Sequence, residues 1–219
     1  MCATKNESKL NILLDLDSTL IYAEPIDEFP FKDANVSQKA LNLSVFNMDD
    51  YYIIFGRPHL KEFLEFLVKN FNVSIWTAAS KDYALFIIGK ILQLKPEDVD
   101  YIFFSYHCKL SENSYDGDQK NLRLLWEELP LSKTYNKNNT LILDDYDHIQ
   151  EIQPGNCIPA HPFNVIKDKN KFNDECVDDD FLKKLIPTLK KIKKNWDGTE
   201  ESLKKLLHSS KCEIPNKVE

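Results

Sequence analysis

The chain has 219 residues, 42% hydrophobic and 29% charged, with a formal net charge of −7; that is enough for one sizeable core, and the charge argues against general nucleic-acid affinity. No apolar run approaches the roughly 20 residues of a membrane span, and residues 1–7 hold neither an apolar signal core nor a myristoylation glycine, so an intracellular protein, cytoplasmic or nuclear, is expected. The five cysteines, at 2, 108, 157, 176 and 212, are odd in number and lack C-x-x-C spacing, which indicates free thiols and neither a disulfide framework nor a zinc site.

Ile12-Leu13-Leu14 is a short continuous apolar run, the pattern of a strand buried on both faces. Val36 to Phe55 is the region least like a helix. There Leu41, Leu43 and Val45 alternate with polar partners, Asn47 to Asp50 suggests a turn, and Tyr51 to Phe55 is aromatic and β-branched, so a β-hairpin insertion over about 36–55 is expected. Leu60, Phe63, Leu64 and Leu67 then recur at helical spacing after Pro58, leading to a strand Val73 to Trp76. Ser80 caps a helix carrying Tyr83, Ile87 and Ile91 and reaching about Leu94; Asn121 to Leu129 is a short helix, Tyr135 to Asn139 a polar loop, and Leu141 to Leu143 a third buried strand. Asp178 to Asp180 open a helix through Lys194, where acidic residues favour the dipole, so that triple acid is read as structural. The β-α-β order predicts one α/β domain over 10–195, a doubly wound, mostly parallel, Rossmann-like sheet with the hairpin insertion and no large cap domain. A helical tail over 196–219, around Leu203, Leu206 and Leu207, then frays into polar sequence.

Chemistry collects at the carboxyl ends of the strands, where open α/β sheets bind ligands. Asp15 and Asp17 leave the first strand on the same side. Carboxylates held that close resist joint ionisation unless a cation or proton lies between them, which suggests Mg²⁺ and an acid/base pair. Thr77 ends the second strand, Asp144 and Asp145 end the third, and Lys120 opens the helix between them. D-x-D-x-T alone would equally describe a polar loop; the conjunction carries the reading. Aspartyl-phosphate chemistry requires a carboxylate nucleophile, an acid/base carboxylate, donors for phosphoryl oxygens and a cation, and each has a candidate.

With these residues the chain resembles the haloacid dehalogenase superfamily, and within it the RNA polymerase II C-terminal-domain phosphatases, also called the NLI-interacting-factor-like family. The resemblance rests on Asp15 to Leu20, Gly56 to Phe63, Trp76 to Ala79, Gln119 to Leu122, Leu141 to Asp145, Asn156 to Pro159 and the helix after Asp180. It implies Asp15 as nucleophile, Asp17 as general acid/base, and Thr77 and Lys120 as holders of phosphoryl oxygens. It also implies Mg²⁺ on the Asp15 carboxylate, the Asp17 carbonyl, Asp144 and Asp145. The implied substrate is a phosphoserine or phosphothreonine peptide or protein, the RNA polymerase II tail among the candidates, with no membrane and no direct nucleic-acid partner.

Some features depart from the family pattern. Ser18 stands where many members have an acidic residue, Tyr146-Asp147 replaces small residues and proline, and the segment from Glu127 to Asn139 is long, so Lys133 or Lys137 competes with Lys120 as the motif lysine. Lys120 is favoured because a lysine at a helix start can aim inward, whereas loop lysines are usually solvated. Phe46, Tyr51, Tyr52, Phe55 and Tyr83 are candidates for an aromatic peptide pocket, against the alternative of an insertion packing on its own domain. Arg57 is a candidate phosphate contact, with a carboxylate partner as its alternative. His107, His148 and His161 have no ligand spacing. Two other functions share the fold: a non-catalytic protein-binding module, and a phosphatase for small metabolites or nucleic-acid ends.

Overall fold

The computed structural model describes residues 9–30, 32, 34–167 and 171–210. In chain order its elements are β1 (Asn11–Leu14), β2 (Ile21–Pro25), α1 (Ala34–Ala40), β3 (Ser44–Met48), β4 (Tyr52–Gly56), α2 (Leu60–Asn70) and β5 (Asn72–Trp76). There follow α3 (Lys81–Phe86), β6 (Ile102–Phe103), α4 (Ser105–Ser114), β7 (Thr140–Asp144), α5 (Asp147–Ile152) and β8 (Cys157–Pro159). A two-stranded ribbon of β9 (Ile166–Lys167) and β10 (Lys171–Phe172) precedes α6 (Phe181–Asn195) and α7 (Glu200–Ser210).

The apolar run Ile12-Leu13-Leu14 becomes the middle strand of a five-stranded parallel sheet ordered β6-β5-β1-β7-β8. Pairing sets Ile12 opposite Val73 on one side and Leu141 on the other. Strand alternation then divides the core. Ile12, Leu14, Val73, Ile75, Leu141 and Leu143 face α2, α6 and α7, while Leu13, Trp76 and Ile142 face the layer containing Cys108, Leu125 and Ile149. Each fully buried Leu or Ile contributes about 1.5–3 kcal/mol relative to exposure, so both faces hold β1 rigidly beneath its terminal carboxylates.

The insertion differs from the expected hairpin in two ways. β3 and β4 do pair antiparallel through a turn in which the Asp50 amide donates to Asn47 Oδ1 at 2.8 Å, but β2 pairs with the other side of β4 and makes a three-stranded sheet. Val36 to Ala40 is helical, not extended. Val36 and Ala40, one turn apart, are buried with Leu43 in a third cluster around Phe55 and Phe163, whereas Leu41 is 77% exposed, so the apparent alternation was not a strand face.

The helix after Ser80 starts as expected, Ser80 Oγ accepting from the Tyr83 amide at 3.4 Å, and widens into a π-helical turn over Ile87–Ile91. The short helix expected over Asn121 to Leu129 is a π-helical turn at Leu124–Glu128. α7 buries Leu203 and Leu207 in the main core cluster. The polar sequence expected to fray after it, together with Cys2 and Cys212, lies outside the described residues. Cys108, Cys157 and Cys176 are buried, and none of them forms a disulfide among the described residues. Among the described residues no helix is long and apolar enough to cross a membrane.

Candidate active site

Asp15 continues β1 by one step, its amide donating to Leu143 O at 3.0 Å. The chain then folds back sharply: the amides of Leu20 and Ile21 both reach Leu16 O, at 2.8 and 3.0 Å, and Ser18 takes a left-handed φ of 58°. This loop carries Thr19 beneath the carboxylates, with Oγ1 3.2 Å from Asp15 Oδ2 and 3.0 Å from Asp145 Oδ1. A hydroxyl has one proton, so Thr19 donates to these two acceptors in alternation. The motif threonine had no role in the sequence reading; its position between two carboxylates supplies one.

Lys120 reaches the same place from the opposite side of β1. Its backbone is left-handed, φ 50°, an uncommon conformation for a non-glycine residue that persists where surroundings impose it. Gln153 imposes it by clamping the segment at two points: Nε2 donates to Lys120 O at 3.0 Å, and Oε1 accepts from the Leu122 amide at 2.9 Å. The buried Lys120 Nζ thereby donates to Asp15 Oδ1 at 2.6 Å and to Asp144 Oδ2 at 2.7 Å. Lys137 instead pairs with Glu200 at 2.7 Å and is exposed, as is Lys133. No sequence signal marked Gln153, because its function depends on a turn brought close only by the fold.

Charge at this point is unbalanced. Burial pushes the Asp15 carboxyl up, Lys120 opposing and Asp145 and Asp17 reinforcing, and burial likewise pushes up Asp17 and Asp145. Asp144 is pushed up to about 6 by burial and by Asp15, against the pull of Lys120. For Lys120 burial alone would favour the neutral amine, but Asp15 and Asp144 outweigh it and hold the ammonium form firmly. Asp15, Asp144 and Asp145 offer oxygens within 4.8 Å of one another. An all-carboxylate set of this kind suits a hard divalent cation such as Mg²⁺, which takes oxygen ligands.

The remaining candidates divide by position. Thr77 follows β5, two residues beyond the Leu14–Ile75 pair; it is buried, and its Oγ1 accepts from the Ala79 amide at 3.1 Å, which leaves its hydroxyl proton free to donate elsewhere. Asp17 Oδ1 accepts from the Tyr83 hydroxyl at 2.5 Å, and the Tyr83 ring meets Tyr52 edge-on with centroids 5.8 Å apart. Burial and the adjacent Asp17 carboxylate hold the Tyr83 phenol protonated. Phe46 shares the same sheet face but lines a separate groove of about 660 Å³ with Leu43, Leu60, Leu64 and Leu92. Tyr51 is exposed at the hairpin tip, and Phe55 is buried on the opposite face beside Phe29.

Arg57, expected among the substrate contacts, is a structural arginine in this arrangement. Its side chain is wholly buried, stacked against Phe181 at 4.4 Å, with Nε and Nη2 on the Asp179 carboxylate at 3.0 and 2.9 Å and Nη1 on Thr19 O at 2.9 Å. Nη1 also donates to His161 O at 3.2 Å and Nη2 lies 2.6 Å from His161 Nε2, so all five N–H groups have partners and the guanidinium has nothing left to offer a phosphate. His161 lies 2.9 Å from the same Asp179 oxygen. Burial works against ionisation of Asp179, yet His161 and Arg57 hold it well below the usual carboxylate range. Of the triple acid, Asp179 is thus structural as an ion-pair partner that also accepts from the Phe181 amide at 3.1 Å, whereas α6 begins only at Phe181 and has no acidic residue in its first turn.

Comparison with known proteins agrees with this geometry. The NLI interacting factor-like phosphatase family model matches residues 10–199. The CTD phosphatase-like protein 355R of Invertebrate iridescent virus 6 is 40% identical over 169 residues, 75% of this chain and 92% of that protein. Its counterpart in Invertebrate iridescent virus 3 is 40% identical over 179 residues, 78% and 92%. CTD small phosphatase-like protein 3 of Caenorhabditis elegans is 27% identical over 162 residues, 71% of this chain and 48% of that one. Among solved structures, Fcp1, described as an essential RNA polymerase II CTD phosphatase, superposes with a TM-score of 0.57 at 20% identity, a likeness of fold covering 87% of this chain and 63% of Fcp1. The chain belongs to the NLI interacting factor-like phosphatase family, a branch of the haloacid dehalogenase-type phosphatases.

Proposed function

We propose that this phosphatase is Mg²⁺-dependent, acts on phosphoserine or phosphothreonine in an extended protein segment, and works through an aspartyl phosphate on Asp15. The observation that carries the reading is Lys120 Nζ, buried and bonded at once to Asp15 and Asp144, with Asp145 in reach. A cation fixed on the nucleophile steadies negative charge arriving on phosphoryl oxygens. Asp15 attacks phosphorus in line while Asp17 protonates the leaving seryl oxygen; Asp17 then takes a proton from the water that hydrolyses the aspartyl phosphate. Mg²⁺, held by Asp15, Asp144, Asp145 and the Asp17 carbonyl, would neutralise charge on the transferring group. Thr77 donates to a phosphoryl oxygen.

Tyr52, 37% exposed beside Tyr83, offers a peptide an aromatic surface that a small metabolite would not need. The RNA polymerase II tail is the first protein substrate to try, and it implies an intracellular site of action. The test is turnover of the purified protein against phosphoserine peptides, phosphometabolites and phosphorylated nucleic-acid ends, with Mg²⁺ or EDTA. Peptide turnover that depends on Mg²⁺ is expected. Preference for metabolites or nucleic-acid ends would reassign the substrate, and peptide binding without turnover would make the protein a recognition module.

A further inference from the structure

The carboxylates of the site are not equally well held. Asp15 is fixed by Lys120 and Thr19, and Asp144 by Lys120 and the Tyr146 amide, which donates to Oδ1 at 3.0 Å. Asp17 stands in a tight loop, next to left-handed Ser18 and in an isolated bridge with Ile21. Among the described residues, Tyr83 alone gives its carboxylate a side-chain hydrogen bond. Tyr83 is suited to holding a neighbour still. Its own amide is tied to the cap residue Ser80, its body lies at the start of α3, and its ring is packed edge-on against Tyr52.

Resting on the reading above, we infer that Tyr83 is the positioning residue of Asp17, its hydroxyl occupying Oδ1 so that proton transfer passes through Oδ2. In the first step an Asp15 oxygen bonds to phosphorus and the bond from phosphorus to the seryl oxygen breaks. The electron pair leaves on the seryl oxygen, which takes the proton from Asp17 Oδ2. In the second step water bonds to phosphorus and gives a proton back to Oδ2, while the bond to Asp15 breaks and its electron pair returns to that carboxylate. Tyr83 keeps its proton in both steps, so it makes no bond to the reacting atoms. Without the hydroxyl the Asp17 carboxyl rotates freely, and fewer encounters present an oxygen to the leaving group or to water.

Tyr83→Phe tests this, because it keeps the ring against Tyr52 and removes the hydroxyl alone. On a phosphoserine peptide kcat should fall about tenfold or more with KM within about twofold, since general acid–base catalysis is worth roughly 10²–10⁴ and only its alignment is lost. The discriminating measurement is a double-mutant cycle with Asp17→Asn, read as phosphoenzyme hydrolysis after loading with para-nitrophenyl phosphate, a leaving group that needs the acid least. Tyr83→Phe should slow hydrolysis in the parent and change it less than about twofold in Asp17→Asn, where no carboxyl remains to align. Losses that multiply in the double variant would overturn the inference, as would a raised KM with unchanged kcat, the mark of a mere pocket wall. An active parent indifferent to Tyr83→Phe would refute this inference alone. A parent that never phosphorylates Asp15 would sink the phosphatase reading with it.

Discussion

Lys120→Met keeps a buried stem and removes the ammonium hydrogen-bonded to both Asp15 and Asp144. Those carboxylates and Asp145 lie within 4.8 Å of one another; at that separation and an effective dielectric of about 20, each ionised pair repels by about 3–4 kcal/mol. Breaking a buried pair typically costs about 3–5 kcal/mol, or about 6–20 °C in Tm for a chain this long. The loss should depend on pH. Asp144 is already pushed up to about 6 with Lys120 present, so without the lysine it titrates higher still. A carboxyl whose folded pKa lies above its unfolded value disfavours folding when ionised; the penalty is full above the folded pKa and disappears as pH falls through it. Thermal unfolding in EDTA should therefore separate variant and parent widely at pH 8 and much less at pH 5, and excess Mg²⁺ should narrow the gap at pH 8. Turnover should fall about 10²–10³-fold, as for other lost partners of transition-state charge. A gap equal at both pH values and indifferent to Mg²⁺ would refute the electrostatic account and leave Lys120 as packing.

Other expectations follow from the same geometry. Asp15→Asn should abolish turnover by several orders of magnitude while unfolding as cooperatively as the parent, and activity within tenfold of the parent would remove Asp15 as nucleophile. EDTA should silence the enzyme, Mg²⁺ restore it, and Ca²⁺ fail to, because its larger and looser shell misplaces the reacting groups; full activity after exhaustive chelation would contradict this. Tyr52→Ala should cost roughly tenfold in kcat/KM on a phosphoserine-proline peptide and little on an aryl phosphate, the loss of about 1–2 kcal/mol of ring burial; equal losses on both would mean that the sheet only supports the fold. Asp179→Asn should destabilise by about 3–5 kcal/mol in urea, because Arg57 stays buried without its partner. Since the Asp179 carboxyl is held below the usual range, its contribution is present above about pH 4 and lost only as pH falls through the depressed value, so a difference that vanished between pH 7 and pH 5 would disprove the pairing.

The parts of the fold legible in the sequence were those fixed by short-range pattern. Three apolar runs gave the central strands, and the residues ending them were visible because strand ends and sites coincide in parallel sheets. Helix α1 does not show in the sequence because Leu41 mimics a strand alternation, while Val36 and Ala40, which carry the burial, make a single i,i+4 pair in a seven-residue segment, too few repeats to announce a helix. Long-range partners were invisible for a different reason. Asp179 is 122 residues from Arg57 and Gln153 is 33 from Lys120, and nothing local at either position encodes the partner. Of the residues expected to line an aromatic pocket, Tyr52 on β4 and Tyr83 on α3 meet edge-on, but alternation along β4 sends Phe55 to the other face, as its period of two requires.

The central claim is tested most directly by identifying the atom that receives the phosphoryl group. The parent enzyme is mixed with phosphoserine peptide and Mg²⁺, quenched during turnover, reduced with borohydride, which converts an acyl phosphate to an alcohol, and mapped by mass spectrometry. The account predicts homoserine at position 15 and unmodified aspartate at positions 17, 144 and 145. Reduction at another carboxylate, phosphate retained on a histidine or serine, or rapid turnover with no trapped acyl phosphate would contradict it.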